Sequence, residues 1–421
     1  ARRMEAAAWI TLEAGKPWRE ADADVCEAID FLEYYGRQMM HLAAPVALQT
    51  EIPGEINECG FRALGLVAVI APWNFPLAIA MGMTSAALAA GNAVILKPAE
   101  QTPLAASLLC DALLAGGVPD GVFSCLHGPG ETVGAALVRH PEVGLIAFTG
   151  SRAVGLEILR EAATVREGQR GLKRTILELG GKNAIIVDAT ADLDTAVPDI
   201  IHSAFGYAGQ KCSACSRVIV LQEVLEPLTA RLRDATASVI VGPAEEPEVQ
   251  MGPLIEGEAQ ARLRGAIERA RREGELICAG ETGPLGERGF FVPPALAAGL
   301  SPSHPLAQEE LFGPFAVILP VVSFDEAIEV LNATPYALTG GIQSRTLPNI
   351  ERAKRECQVG NFYINRPITG AIVGRQPFGG FRFSGIGSKA GGPDYLRQFL
   401  VAQTWSENTM RHGFAPLDEA V

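Results

Sequence analysis

The chain is organised around the stretch GQKCSACSRVIV at residues 209–220. Cys212 follows a Gly-Gln-Lys loop and precedes a β-branched run that predicts a strand. A cysteine on a turn that leads into a strand, rather than inside a core element, is well placed to act as a nucleophile. The sequence therefore predicts a reactive thiol at Cys212.

Two upstream motifs supply the other groups that chemistry on a carbonyl needs. Glu178 ends a predicted strand and is followed by the double glycine Gly180-Gly181. Asn74 lies in the sequence PWNFP at residues 72–76, where a predicted strand is followed by a helix. A thiolate nucleophile, a carboxylate base and an amide donor together suit reactions of a carbonyl group.

Seven motifs occur in the order found in the aldehyde dehydrogenase superfamily, which the chain resembles from about Trp9 to about Asn408. They are PWNFP, KPAEQTP, FTGSRAVG, ELGGKN, GQKC, EELFGP and QPFGGFRFSG. Within the superfamily, the tracts GKPWREAD, GQKCSACSR, TGAIVGRQPFGG and KAGGPDY are similar to 1-pyrroline-5-carboxylate dehydrogenase. They are equally similar to the dehydrogenase half of bifunctional proline utilisation proteins, so a fused or a separate proline dehydrogenase remains open.

The resemblance implies a mechanism on an aldehyde substrate. Cys212 would attack the carbonyl, and the side chain of Asn74 with the backbone N–H of Cys212 would hold the oxyanion. Glu178 would then activate water to hydrolyse a thioester. The substrate would be L-glutamate γ-semialdehyde, held by Ser213 beside the nucleophile and by an aldehyde anchor loop. The implied substrate contacts are Ser213, Gly370, Ala371 and Phe378.

The resemblance also implies NAD as the cofactor. An acidic residue just past a strand can bind a ribose hydroxyl and would repel a 2′-phosphate, which at Glu100 favours NAD over NADP. Gly150 and Ser151 open a helix directly after a strand, where backbone N–H groups attract a diphosphate. The implied cofactor contacts are Trp73, Lys97, Glu100, Gly150, Ser151, Leu179, Glu310 and Phe312.

Short apolar strands alternate with helices from Leu66 onward, which predicts parallel, doubly wound sheets. We expect an aldehyde dehydrogenase-like α/β fold with two such domains and a small β oligomerisation element. The NAD-binding domain is assigned to 1–45 and 64–177, with its N-terminal part missing. The oligomerisation hairpin and C-terminal strand are 46–63 and 396–421, and the catalytic domain is 178–395.

Before the first predicted strand, residues 1–42 are expected to form helices that break at Gly15-Lys16-Pro17. The second of these helices is expected to pack through Val25, Ile29, Leu32 and Tyr35. By the resemblance, the tail from Leu396 to Thr409 is a strand that joins a partner's sheet, which predicts a homo-oligomer.

Composition excludes several classes of function. The net charge of −13 argues against a nucleic-acid partner, and the apolar segment 64–90 is interrupted by Pro72, Asn74 and Pro76, which argues against membrane insertion. Eight scattered cysteines predict a reducing compartment, here the cytoplasm. Cys212 and Cys215 form a CxxC that could be a redox pair or half a zinc site, but the six histidines show no paired spacing, so no metal is expected.

Two alternatives to the semialdehyde dehydrogenase remain. The first is a dehydrogenase for another aldehyde, which would differ in the loop that contacts the substrate. The second is an inactive scaffold fragment, which the presence of Asn74, Glu178, Cys212 and Glu310 disfavours.

Overall fold

The computed structural model describes residues 2–280 and 282–410, so residues 411–421 of the predicted C-terminal element lie outside the described residues. The strands in this part of the chain are β1 Val46–Ala47, β2 Glu55–Ala63, β3 Leu66–Ile70, β4 Ala93–Lys97, β5 Phe123–Cys125, β6 Val143–Thr149, β7 Arg174–Glu178, β8 Asn183–Val187, β9 Cys215–Leu221, β10 Glu275–Ala279, β11 Ala295–Ala298, β12 Phe315–Val321, β13 Tyr336–Ala337, β14 Thr339–Gln343, β15 Asn361–Ile364, β16 Phe381–Arg382, β17 Gly385–Ile386 and β18 Leu400–Asn408. The α-helices are α1 Arg3–Ala14, α2 Trp18–Leu42, α3 Ala78–Ala89, α4 Pro103–Ala115, α5 Ala135–Arg139, α6 Arg152–Ala163, α7 Leu193–Phe205, α8 Gln222–Ala237, α9 Gly257–Glu273, α10 Leu285–Arg288, α11 Pro305–Gln308, α12 Phe324–Asn332 and α13 Leu347–Glu356.

The first sheet has six strands in the order β17-β7-β6-β3-β4-β5, and every pair in it is parallel except β17 with β7. The chain runs outward from β3 through β4 to β5 and then returns to the other side of β3 as β6. The strand order therefore reverses between β3 and β6. Ligands of open α/β sheets bind beyond the carboxyl ends of the strands at such a point.

Side chains of β3 alternate between two cores, which explains why the sequence of this strand is apolar at every position. Val67 and Val69 belong to the core formed with α2 and α3, whereas Ala68 and Ile70 belong to the core formed with α5 and α6. Successive side chains of a strand point to opposite faces, and a parallel sheet is covered on both.

The second sheet has seven strands in the order β10-β11-β12-β9-β8-β14-β15. Its pairs are parallel except for the edge hairpin of β10 with β11. One large core covers it, and the side chains of β8 are all buried. Two mainly parallel sheets flanked by helices confirm the predicted fold class; the division into domains stays a prediction.

Helix α2 packs through a different face from the one predicted. Val25 and Tyr35 are buried as expected, but Ile29 is 47% exposed and Leu32 is 40% exposed. The buried stripe instead contains smaller or polar side chains together with one aromatic ring: Ala21, Asp24, Ala28 and Phe31. The prediction was wrong because two helical stripes share Val25 and Tyr35, and the buried one is marked by fewer large apolar residues.

The small sheet consists of β1, β2 and β18. The tail strand β18 pairs antiparallel along its whole length with β2 of the same chain, from Leu400 opposite Ala63 to Asn408 opposite Glu55. The predicted strand is therefore present, after a short 3₁₀ turn at Leu396–Phe399. Within residues 2–280 and 282–410, no helix has the length and apolar character needed to cross a membrane.

Candidate active site

The predicted nucleophile lies in the turn between α7 and β9. Two hydrogen bonds from the side-chain amide of Asn183 hold this turn. Asn183 Nδ2 donates to the carbonyl of Cys212 at 2.7 Å and to that of Ala214 at 2.9 Å. Thr339 Oγ1 donates to the carbonyl of Ser213 at 3.2 Å. The turn sits at the amino ends of β8 and β9, facing the carboxyl ends of the first sheet.

Asn74 approaches this turn from the first sheet. Its Nδ2 donates to the carbonyl of Gln210, two residues before Cys212, at 3.0 Å. That bond uses one of two amide N–H groups, so the second can serve an oxyanion. The backbone carbonyl of Asn74 accepts a 2.9 Å bond from Lys16 Nζ, which also pairs with Asp24 at 2.8 Å.

Glu178 ends β7, and its carbonyl accepts a 3.1 Å bond from the N–H of Gly150. Its Oε2 is buried and has no hydrogen-bond partner among the described residues. Burial raises the pKa of this carboxyl to about 8, and the ammonium of Lys389 acts in the opposite direction. A carboxyl with such a pKa is suited to exchange protons near neutral pH.

The thiol of Cys212 is held in its protonated form. Burial raises the pKa of Cys212, the negative charges of Glu178 and Glu310 raise it further, and the backbone N–H groups of Ser213 and Cys212 only partly oppose them. Attack on a carbonyl therefore requires a base to remove the thiol proton, and Glu178 is the nearby carboxylate with the largest effect on it.

The double glycine after Glu178 brings a second carboxylate against the nucleophile turn. Glu310 Oε1 accepts a 2.9 Å bond from the N–H of Gly181, and burial raises the pKa of Glu310 to about 7. A Cβ on Gly181 would lie 2.8 Å from the carbonyl of Cys212. A side chain at this position would therefore displace the turn that carries the thiol.

A cleft of about 580 Å³ lies at the carboxyl ends of β3, β4 and β6, where the strand order of the first sheet reverses. Five of the predicted cofactor residues line it: Trp73, Lys97, Glu100, Gly150 and Ser151. The hydroxyl of Ser151 caps α6 by accepting a bond from Val154 N–H at 3.4 Å. This cleft combines the start of a helix with a carboxylate, which fits a dinucleotide with its diphosphate and ribose.

Two contacts within and beside the cleft involve predicted cofactor residues. Lys97 Nζ pairs with Glu100 at 2.6 Å, and the ring of Trp73 meets that of Phe312 edge-on with centroids 5.6 Å apart. The remaining predicted cofactor residue, Leu179, is buried and packs toward Gly155 of α6 rather than lining the cleft.

The predicted anchor loop, which contains Gly370 and Ala371, lies between β15 and β16. Gly370 has φ +75 and open space where a Cβ would stand, so its backbone can approach a ligand. Phe378 exchanges two backbone hydrogen bonds with Ala390, of 2.9 and 2.7 Å. Ser213 is buried beside Cys212. The substrate roles of these residues and of Ala371 stay predictions.

Comparison with known proteins identifies the family. The model of the aldehyde dehydrogenase family matches residues 1–405. The chain belongs to the aldehyde dehydrogenase family.

Among curated proteins, the chain is 48% identical over 406 residues to 1-pyrroline-5-carboxylate dehydrogenase of Geobacillus thermodenitrificans (strain NG80-2), an alignment that covers 96% of this chain and 78% of that protein. Among solved structures, it superposes with a TM-score of 0.94 and 45% identity on 1-pyrroline-5-carboxylate dehydrogenase from Thermus with bound NAD, covering 97% of this chain and 78% of that one. Proline utilization A from Bdellovibrio bacteriovorus gives a TM-score of 0.95 and 49% identity, covering 99% of this chain. The chain spans 43% of that longer protein.

Four residues that support the site of this aldehyde dehydrogenase were not predicted as site residues: Lys16, Asp24, Asn183 and Lys389. Lys16 was interpreted only as part of a helix break, yet it is fully buried and holds the backbone of Asn74. The sequence offered a weak signal, because all four residues lie in or beside motifs quoted for the resemblance. Their partners are distant in sequence, so the contacts themselves left no local pattern.

Proposed function

We propose that this chain oxidises L-glutamate γ-semialdehyde, the open form of 1-pyrroline-5-carboxylate, to L-glutamate with NAD as the hydride acceptor. One observation carries the proposal: the amide of Asn74, the thiol of Cys212 and the carboxyl of Glu178 converge where the two sheets meet. The names of the curated relatives support this choice of substrate.

The first half of the reaction makes an acyl-enzyme. Glu178, as a carboxylate, removes the proton of the Cys212 thiol, and Sγ forms a bond to the aldehyde carbon. The oxyanion of this thiohemiacetal is held by the free N–H of the Asn74 amide and by the backbone N–H of Cys212. Bound NAD would supply the acceptor for the hydride of this carbon, and the acyl group would then remain on Cys212 as a thioester.

The second half releases glutamate. Glu178 first releases the thiol proton to solvent and then accepts a proton from water, whose oxygen attacks the thioester carbon. The C–S bond breaks, and the departing thiolate of Cys212 takes this proton from Glu178. General-base catalysis of this kind contributes about 10²–10⁴ in rate. Ser213, Gly370 and Ala371 offer hydrogen-bond donors to the substrate carboxylate, and Phe378 flanks its aliphatic chain.

The residues of the cleft would hold NAD in this reaction. The carboxylate of Glu100 would bind the adenosine ribose beside Lys97, and the start of α6 at Gly150 and Ser151 would receive the diphosphate. Trp73 and Phe312 would form walls of the cleft. Leu179 would support α6 from within the core, where it packs toward Gly155. Glu310 would bind the nicotinamide ribose through Oε2, because its Oε1 accepts from the N–H of Gly181.

Three wider expectations accompany the activity. The small sheet leaves β1 and β18 as edges that a second copy of the chain can extend, which supports a homo-oligomer. The scattered free cysteines support a cytoplasmic location. The likeness to proline utilization A supports cooperation with a proline dehydrogenase, fused or separate.

An assay of NADH production with several aldehydes tests the proposal. The semialdehyde should be oxidised with a higher kcat/KM than an uncharged aliphatic aldehyde of the same length. Cys212→Ala should abolish NADH production, whereas the matched variant Cys215→Ala should retain most of it. A preference for the uncharged aldehyde would contradict the proposed substrate and favour a dehydrogenase for another aldehyde. The absence of any oxidation would favour an inactive scaffold.

A further inference from the structure

We propose that Lys389 is the positioning residue of Glu178: its ammonium lies near the buried carboxyl, favours the ionised form of that carboxyl and fixes its direction for the activation of water. This inference rests on the proposed function and extends it to a residue outside the predicted site. Lys389 lies in the loop between β17 and the 3₁₀ turn at Leu396–Phe399.

Gly379 is the common neighbour of the two groups. A Cβ added at Gly379, whose φ is +159, would lie 2.8 Å from Glu178 Oε1. The same atom would lie 3.4 Å from Lys389 Cα and 3.5 Å from Lys389 Cγ. The carboxylate of Glu178 and the side chain of Lys389 therefore both pack against the backbone of Gly379, where a side chain would collide with the carboxylate.

The ammonium of Lys389 is held in place by two acceptors. Its Nζ donates to the carbonyl of Gly360 and, at 3.0 Å, to Asn361 Oδ1. The same Oδ1 accepts a 3.3 Å bond from the N–H of Gly379. An ammonium has three N–H groups, so one remains for the neighbouring carboxylate or for a water molecule bound to it.

The loop of Lys389 also contacts the predicted anchor loop. Ala390, the next residue, exchanges the two backbone hydrogen bonds with Phe378 that close a short β-bridge. The N–H of Gly374 donates to the carbonyl of Gly391 at 3.0 Å. The position of the ammonium is therefore tied to the segment that would hold the substrate.

Three titratable groups face Glu178 from other elements, and Lys389 is the one among these described residues that carries a positive charge. The others are the thiol of Cys212 and the phenol of Tyr395, whose pKa values are both raised mainly by burial, so both are neutral near pH 7. Burial also lowers the pKa of Lys389, and the charge of Glu178 opposes that effect. Without the ammonium, burial alone would act on Glu178, and the carboxyl would stay protonated to a higher pH.

The test uses hydrolysis of p-nitrophenyl acetate by the whole chain. This ester acylates Cys212 with release of phenolate and needs neither the semialdehyde nor NAD. The burst of phenolate reports acylation, and the steady phase after the burst reports deacylation by Glu178. In the wild type the deacylation rate should rise with pH as Glu178 loses its proton. This rise, the acid limb of the pH profile, should lie near pH 8. An opposite charge within about 4–6 Å of a carboxyl shifts the pKa of that carboxyl by about 1–3 units.

Lys389→Met and Lys389→Gln should therefore move the acid limb upward by about 1–2 pH units. Deacylation at neutral pH should fall about ten- to hundredfold, with the phenolate burst preserved and the difference lost above the limb. Lys389→Arg should keep the limb close to the wild-type position. Lys173→Gln is the matched control, because Lys173 also makes two hydrogen bonds through its ammonium, here to the backbone carbonyls of Val138 and His140, away from the site.

An unchanged acid limb in the Gln variant, or an equal loss at every pH, would overturn the positioning role. If the Met variant does not fold, the Gln variant decides, because its amide can still donate to Gly360. If the limb shifts as expected but the semialdehyde is not oxidised, the proposed substrate fails and the role of Lys389 stands. If the semialdehyde is oxidised but the limb does not move, only the role of Lys389 fails.

Discussion

Asp24→Asn should weaken the fold and the site together, because Asp24 neutralises a lysine that supports Asn74. Lys16 and Asp24 have side chains with 0% exposure, and their Nζ and Oδ2 atoms are 2.8 Å apart. Lys16 Nζ also lies 3.5 Å from the ring centre of Phe75. The asparagine can keep the 2.7 Å bond that Oδ1 accepts from Ala78 N–H, so the change removes mainly the charge.

The expected loss of stability in Asp24→Asn follows from the burial of the Lys16–Asp24 pair. Removing one partner of a buried ion pair costs about 3–5 kcal/mol, because it leaves a charge without compensation. This is a large part of the 5–15 kcal/mol that typically stabilises a domain. The activity should also fall, since the carbonyl of Asn74 loses a fixed donor; complete loss of one oxyanion donor costs about 10²–10³ in rate.

Urea unfolding and the NADH assay measure the two effects. The control is Asp22→Asn on the same helix, whose 2.6 Å pair with Arg3 has side-chain exposures of 32% and 51%, so it should cost less than about 1 kcal/mol. In the double variant Lys16→Met/Asp24→Asn, the bond from Ala78 N–H is kept and no buried charge remains. Stability should therefore largely return while activity does not, because the donor to Asn74 is missing. Equal effects of the Asp24 and Asp22 substitutions would refute this reasoning.

Three further predictions concern the base, the cofactor and the substrate. Steady-state turnover limited by deacylation should rise with pH toward about 8, because Glu178 acts in its deprotonated form and its pKa is raised to that value; a rate profile that is flat across this range would contradict the assignment. Glu100→Gln should weaken NAD binding and narrow the preference over NADP, since the repulsion of a 2′-phosphate is lost; titration with both cofactors measures the ratio, and an unchanged ratio would remove Glu100 from this role. Ser213→Ala should lower kcat/KM for the semialdehyde about ten- to hundredfold, as expected for a lost hydrogen bond to a charged group, which is worth about 1.5–3 kcal/mol; an equal loss with the uncharged aldehyde would argue against a contact with the carboxylate.

The arrangement of strands was largely predictable, because each parallel strand leaves a local apolar run. The predicted alternation of strands and helices from Leu66 onward is present, and the turn of Cys212 lies before β9 as expected. The edge hairpin of β10 with β11 was not predicted, since an edge strand needs no continuous apolar run. The face of α2 was also missed, because a buried ion pair occupies the position of Asp24.

The candidate site shows the same division between local and distant signals. Asn74, Glu178 and Cys212 stand at strand ends and turns, so each could be chosen from its own neighbourhood in the sequence. The bond from Gly181 to Glu310 and the position of Lys389 beside Glu178 depend on how the two sheets meet. Only the folded chain brings these groups together, so sequence patterns gave no reason to pair them.

The central claim is that oxidation proceeds through a thioester on Cys212 that Glu178 resolves. The most direct measurement is a single-turnover experiment on Glu178→Gln with NAD and the semialdehyde, quenched in acid and mapped by peptide mass. The account predicts that NADH forms slowly in the first turnover, because the thiol has lost its base. This NADH is matched by a Cys212 peptide heavier by one glutamyl group, which the wild type does not accumulate. NADH formation with an unmodified Cys212 peptide, or an unimpaired steady state in this variant, would contradict it.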